Sequence, residues 1–218
     1  ASRYIQDQAG KTLQSSIGNS FYYDKRDNKL NPKDGYIIKY NNEIAGFGGG
    51  VDFFREEVGI MDIDNFFSSK LILKKIFKAG NIFAFNSDEV KINNRFFLGG
   101  SSLRGFSNAG MGPRDSSDLA ALGGEVYYRG SVELSFPVGL PEELGFRASV
   151  FSDFGSLTHI ADEKNVEIVD SGDIRVSAGF GINWDSPLGP IRFDFVKVLE
   201  KSQYDKTENF RISFGTNF

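Results

Sequence analysis

At 218 residues the chain is the size of one large domain, and its formal net charge of −4, from 25 basic and 29 acidic residues, gives no reason to expect nucleic acid as a partner. With 22 Phe, 25 Gly and no Cys, it excludes a disulfide scaffold and thiolate metal sites. The longest apolar runs, such as 82–85 and 119–122, fall far short of the roughly 20 residues of a spanning helix, yet a membrane barrel, in which only every second residue faces lipid, stays open.

In chain order, strands are predicted at about 14–24, 35–45, 51–63 and 70–85. Only Tyr36, Ile38 and Tyr40 against Lys39, Asn41 and Glu43 alternate cleanly there. The charged run Asp24-Lys25-Arg26-Asp27 reads as a solvated turn, Asn31-Pro32-Lys33-Asp34-Gly35 as a second turn, and Gly46-Phe47-Gly48-Gly49-Gly50 as a flexible hairpin tip. A connection over about 86–124, rich in Gly and small polar residues, is long enough to be a functional loop.

The second half alternates far more strictly. Val126, Tyr128, Val132, Leu134 and Phe136 oppose Tyr127, Arg129, Ser131, Glu133 and Ser135, and Leu144, Phe146, Ala148, Val150 and Phe154 oppose Arg147, Ser149 and Asp153. Positions 174–184 set Ile174, Val176, Ala178, Phe180, Ile182 and Trp184 against Arg175, Ser177, Gly179, Gly181 and Asn183. Ile191, Phe193 and Phe195 alternate with Arg192 and Asp194, and the slip at Val196 to Val198 is read as a bulge. Phe210, Ile212, Phe214, Thr216 and Phe218 close the series against Arg211, Ser213, Gly215 and Asn217. Turns fall at 137–141 and 186–190. About nine strands of this kind suit a soluble sandwich or a tilted transmembrane β-barrel; Phe136, Phe154, Trp184 and Phe218 at strand ends, where interfacial girdles lie, favour the barrel.

Inside the long connection the chain reads Phe97-Leu98-Gly99-Gly100-Ser101-Ser102-Leu103-Arg104-Gly105-Phe106. This resembles the loop signature of the outer-membrane assembly and transport superfamily that includes BamA, TamA and the two-partner-secretion transporters: a glycine pair, then Val/Leu-Arg-Gly-Phe/Tyr. Three further segments resemble family motifs in the family's order. They are the 31–35 turn, Phe151-Ser152-Asp153-Phe154-Gly155 as an aromatic-x-Asp-x-Gly strand end, and Trp184-Asp185-Ser186-Pro187-Leu188-Gly189-Pro190 leading into Ile191-Arg192-Phe193 as a Ser-Pro-x-Gly-Pro hairpin.

The resemblance implies an all-β, antiparallel transmembrane barrel of sixteen strands in a bacterial outer membrane, of which this chain matches the C-terminal part, roughly strands eight to sixteen, with a long lumen-entering loop. The N-terminal strands and periplasmic POTRA domains are then missing, and with no signal peptide before Ala1 a mature chain or a fragment is expected. An open nine-stranded sheet would leave edges that hydrocarbon cannot satisfy. The resemblance also implies that Arg104 pairs with two wall carboxylates, Glu133 and Asp153, both of which the parity places on the polar face. Within the loop motif of Gly99, Gly100, Leu103, Gly105 and Phe106, Gly105 would supply backbone freedom and Phe106 an apolar plug, unless the ring faces solvent. At the end, Gly215 and Phe218 would lie on the seam strand, where Gly215 either bends the last turn inward or makes room for a neighbouring side chain.

No catalytic inventory is legible. The sole His, His159, sits in a predicted loop near Asp162 and Glu163, and the chain has no nucleophile elbow, P-loop or His/Cys metal spacing. The expected function is a non-enzymatic barrel assembly factor without cofactor or metal, inserting precursors at the seam between first and last strands. Its partners would be the outer-membrane bilayer, unfolded barrel precursors and accessory lipoproteins of an assembly complex. A TamA-like or two-partner-secretion transporter, and a passive porin, are the alternatives.

Overall fold

The computed structural model describes residues 10–29, 31–68, 70–86, 89–161, 167–169, 172–187 and 189–215. Phe218, Asp162 and Glu163 lie outside the described residues. The strands are β1 (Gln14–Asp24), β2 (Gly35–Gly49), β3 (Phe53–Phe66), β4 (Leu71–Phe83), β5 (Arg114–Asp115), β6 (Val126–Pro137), β7 (Phe146–Thr158), β8 (Ile168–Val169), β9 (Arg175–Ser186), β10 (Gly189–Glu200) and β11 (Phe210–Phe214). Nine of them form one sheet in the order β1-β2-β3-β4-β6-β7-β9-β10-β11, every neighbouring pair antiparallel. β5 and β8 pair separately. The sheet is open among the described residues, with β1 and β11 at its edges. No helix among them is long and apolar enough to cross a membrane, which says nothing of strands.

Short, side-chain-braced turns set the register at one end of the wall. Asp24 takes a bidentate bond from Arg26, at 2.9 and 2.7 Å, and the Asp27 carboxylate accepts the backbone N–H groups of Asn28, Lys33 and Asp34. Those donors, Lys33 foremost, hold the Asp27 carboxyl below the usual carboxylate range. Leu144, expected at the start of a strand, instead closes a single 3-10 turn (Glu142–Leu144), because Gly145 with φ 69° breaks the extended run before β7.

At the opposite end, the described residues of the 84–125 connection between β4 and β6 fold back over one face of the sheet. Two faces result. On the inner face, loop side chains Val90, Phe96, Leu98, Leu103, Phe106 and Met111 pack with Ala45, Phe53, Ile82, Tyr127 and Leu157 of the wall in one buried cluster. Burying each large apolar side chain contributes about 1.5–3 kcal/mol, so the loop is a packed element of the fold. On the outer face Phe77, Val132, Val150, Phe180, Phe195 and Ile212 are exposed, in alternation with polar inner residues.

The bulge expected at Val196 to Val198 is absent. β10 pairs regularly with β9 through Val198↔Ser177, and the register shifts only between Val198 and Glu200. Val196 and Val198 break the apolar-out pattern because they face the loop: a side chain at Gly105 would meet both.

Candidate functional site: the loop anchor on the inner wall

The glycine pair starts a compact turn. Gly99 N–H donates to Ser102 Oγ, which returns its proton to the Gly99 carbonyl, and Gly100 N–H donates to the Phe106 carbonyl at 2.7 Å. This turn presents Leu103, Arg104, Gly105 and Phe106 to the wall. Leu103 and Phe106 are fully buried, so the ring of Phe106 faces core and not solvent. Gly105 has φ +93°, and a Cβ there would lie 3.0 Å from Val196 and Val198 and 3.1 Å from Ser177. Only glycine allows both that backbone and that approach.

Arg104 meets the two neighbouring strands β6 and β7. Its Nε and Nη2 donate to the two oxygens of Asp153 at 2.7 and 2.6 Å, its backbone N–H reaches Asp153 at 3.2 Å, and Nη1 donates to Glu133 at 2.6 Å. Glu133 and Asp153 are diagonal neighbours, since the directly opposed pairs are Ser131↔Asp153 and Glu133↔Phe151, and this spacing suits a planar guanidinium fork. Burial alone would lower the Arg104 pKa, but Asp153 and Glu133 outweigh it and hold the group above its ordinary value.

Several members of the anchor were not singled out from the sequence. Arg192 of β10 binds Glu133 through both terminal nitrogens, at 2.9 and 2.8 Å, and Asp194 through Nε. The Arg104 guanidinium stacks 3.4 Å above the Phe151 ring. Ser131 accepts from Arg104 and donates to Asp153, while Ser177 donates to the Arg104 carbonyl at 2.6 Å. Lys74 of β4 stands directly opposite Glu133. Three cations thus interleave with three carboxylates across β4, β6, β7 and β10, around a cavity of about 250 Å³. Parity had already put Ser131, Ser177, Arg192 and Asp194 on the polar face; only the register between strands could say that they meet.

Gly215 follows directly after β11. It has φ +87°, its N–H donates to the Pro190 carbonyl at 2.9 Å, and among the described residues no atom lies within 4 Å of a Cβ placed there. The positive φ is a backbone conformation that favours glycine at this position. His159 is exposed beside buried Glu125, with Nε2 3.9 Å from its carboxylate. Among the described residues no cluster of His, Asp or Glu is arranged to hold a metal.

This geometry agrees with comparison to known proteins, for the Omp85 superfamily domain matches residues 1–218. The chain belongs to the Omp85 superfamily. The outer membrane protein assembly factor BamA of Neorickettsia risticii is 35% identical over 214 residues, covering 98% of this chain and 29% of that protein. A sorting and assembly machinery component 50 homolog of Bos taurus is 33% identical over 171 residues, 73% of this chain and 35% of that one. The crystal structure of BamA from Haemophilus ducreyi lacking POTRA domains 1-3 shares the fold with a TM-score of 0.76 at 23% identity, over 90% of this chain and 41% of that chain. The chain thus spans about a third of the length of these Omp85 relatives and two-fifths of that solved chain.

Proposed function

We propose that this chain is the C-terminal wall of an outer-membrane barrel assembly factor of bacterial type, and that barrel precursors enter the membrane at the seam bounded by β11. Membership of the Omp85 superfamily and the BamA relative, matched over nearly the whole chain, support assembly as the activity. The seam reading rests on one observation: among the described residues β11 pairs with β10 over only Phe210–Phe214, against the twelve residues of β10, and is followed by Gly215 at φ +87°. A short last strand leaves backbone donors and acceptors that an incoming strand can pair by β-augmentation, with nothing hydrolysed and no cofactor consumed. The anchor residues Arg104, Glu133 and Asp153 then keep the loop in the lumen while the seam works. The packed inner face disfavours a passive porin. Within a complete protein the further partners are the bilayer and unfolded precursors, with accessory lipoproteins of an assembly complex.

The test is insertion of an unfolded barrel precursor into liposomes carrying the full-length protein. The rate should exceed that of empty liposomes and fall when cysteines crosslink the first strand to β11. Gly215→Val, which favours an extended backbone, should slow insertion without unfolding the barrel. Equal rates with the seam open and crosslinked would refute the seam, and a large stable single-channel conductance would favour a porin.

A further inference from the structure

The segment 201–209 leaves the wall just where β11 would otherwise continue. β10 extends past its last residue paired with β11, Phe195↔Phe210, and above that point Val196 N–H to the Asn209 carbonyl is the link between them. The backbone of 206–208 turns inward and pairs with the loop tip. Ser107 N–H donates to the Lys206 carbonyl (2.9 Å), Lys206 N–H to the Gly110 carbonyl (2.8 Å) and Glu208 N–H to the Gly105 carbonyl (2.9 Å), with Phe106 and Thr207 bridged. Arg211 of β11 joins the same tip, its Nη2 reaching Asn108 at 3.1 Å and Glu208 at 2.9 Å. A second buried ion pair holds the segment from below: Arg175 Nε lies 3.0 Å from Asp205, both side chains 2% exposed, and Ser202 N–H caps the same carboxylate at 2.7 Å.

From this we infer that Asp205 and Arg175 are positioning residues of a latch. The latch holds 206–208 on the tip of the anchored loop, so that loop anchoring sets the length of the last strand. If the tip withdraws, the register of β10 with β11 carried upward places Asn209 against Val196, Glu208 against Lys197 and Thr207 against Val198. The last strand then gains the rungs of Glu208 and Thr207 beyond the existing Val196–Asn209 link, and more of the edge of β10 is covered. The exchange trades three backbone hydrogen bonds to the loop for rungs to β10, and the buried Arg175–Asp205 pair with the Arg104 anchor decides between the two arrangements. The consequence for precursor insertion rests on the seam reading above; the exchange itself does not.

Cysteine pairs read it directly, since the chain contains no Cys. In the full-length protein, Ser107→Cys with Lys206→Cys reports the latched arrangement, because Ser107 N–H donates to the Lys206 carbonyl at 2.9 Å, and Lys197→Cys with Glu208→Cys, in a separate variant, reports the extended one. The second pair sits at a non-hydrogen-bonded position, where opposed Cα atoms approach to about 4.5 Å. The parent should form chiefly the 107–206 disulfide. Asp205→Asn and, separately, Arg104→Ala should raise the 197–208 yield relative to 107–206 by at least about tenfold, as expected when one partner of a buried ion pair is lost. Arg175→Met serves as an independent variant should Arg104→Ala fail to fold. An unchanged ratio in folded Asp205→Asn and Arg175→Met overturns the latch. A shifted ratio with unchanged insertion keeps the latch and refutes the seam reading instead. Locking 107–206 by oxidation should alter the insertion rate, with reduction restoring it; a purely structural role would show no such reversal.

Discussion

The loop anchor on the inner face and the outer surface of β3 and β4 carry similar charges in different surroundings. On the inner face Arg104 of the loop meets Glu133 of β6 and Asp153 of β7, with side chains only 11%, 4% and 5% exposed. In β3 and β4 the ionic residues Asp62, Asp64 and Lys75 face outward, with Lys75 Nζ at 2.6 and 2.8 Å from the two carboxylates and side chains 41–44% exposed. Behind that triad Ile37, Met61 and Ile63 are buried against Ile72 and Ile76, with Lys74 between the last two turned to the anchor. Alternation therefore reports what each face touches. It is strict where a wall lies between lipid and an ionic anchor, and it blurs where both faces are mixed.

The comparison is broken most directly by removing the inner cation. Arg104→Ala leaves Glu133 and Asp153 without their central donor, and losing one partner of a buried pair costs about 3–5 kcal/mol, less where water enters. The folded band of the full-length protein on unboiled gels should lose heat resistance, and the loop should become protease-sensitive; unchanged values for both would contradict the anchor. Gly105→Ala tests the same contact sterically. Its positive φ and close approach to Val196, Val198 and Ser177 predict a loss of about 1–3 kcal/mol, read as a lower melting temperature in detergent.

The outer triad should respond far less. Asp64→Asn removes one of two carboxylates from a solvent-accessible lysine and should change stability by about 0–1 kcal/mol. A loss as large as that of Arg104→Ala would show that the outer face is as dry as the inner one. The smallest effect is expected at the exposed 25–34 turn. The folded-state pKa of Asp27 is depressed, so its contribution is complete above the ordinary carboxylate pKa and is lost as pH falls through the depressed value. Protection of the Lys33 and Asp34 amides relative to their intrinsic exchange rate at each pH should fall on acidification, and Asp27→Asn should abolish that dependence.

Much of the wall was legible because period-two alternation is a local property of the chain. The strands predicted at 14–24, 126–136 and 174–184 correspond closely to β1, β6 and β9. The loop motif likewise marked Arg104 and its two carboxylates through resemblance. The structure nonetheless corrected the slip at Val196 to Val198, which is no bulge: those valines face the loop, and parity cannot tell an inner residue that meets water from one that meets a folded-back segment.

The sequence by itself determined which residues extend, which face each side chain takes and where the long loop falls, since these follow from sterics and polarity over a few neighbouring residues. Only the tertiary structure decided that Arg192 and Asp194 join Glu133, that Phe151 lies beneath Arg104, and that 206–208 leaves β10 to pair with Gly105 and Gly110. Each depends on register between strands or on a loop returning across dozens of residues, and a one-residue slip would turn every such side chain to the other face.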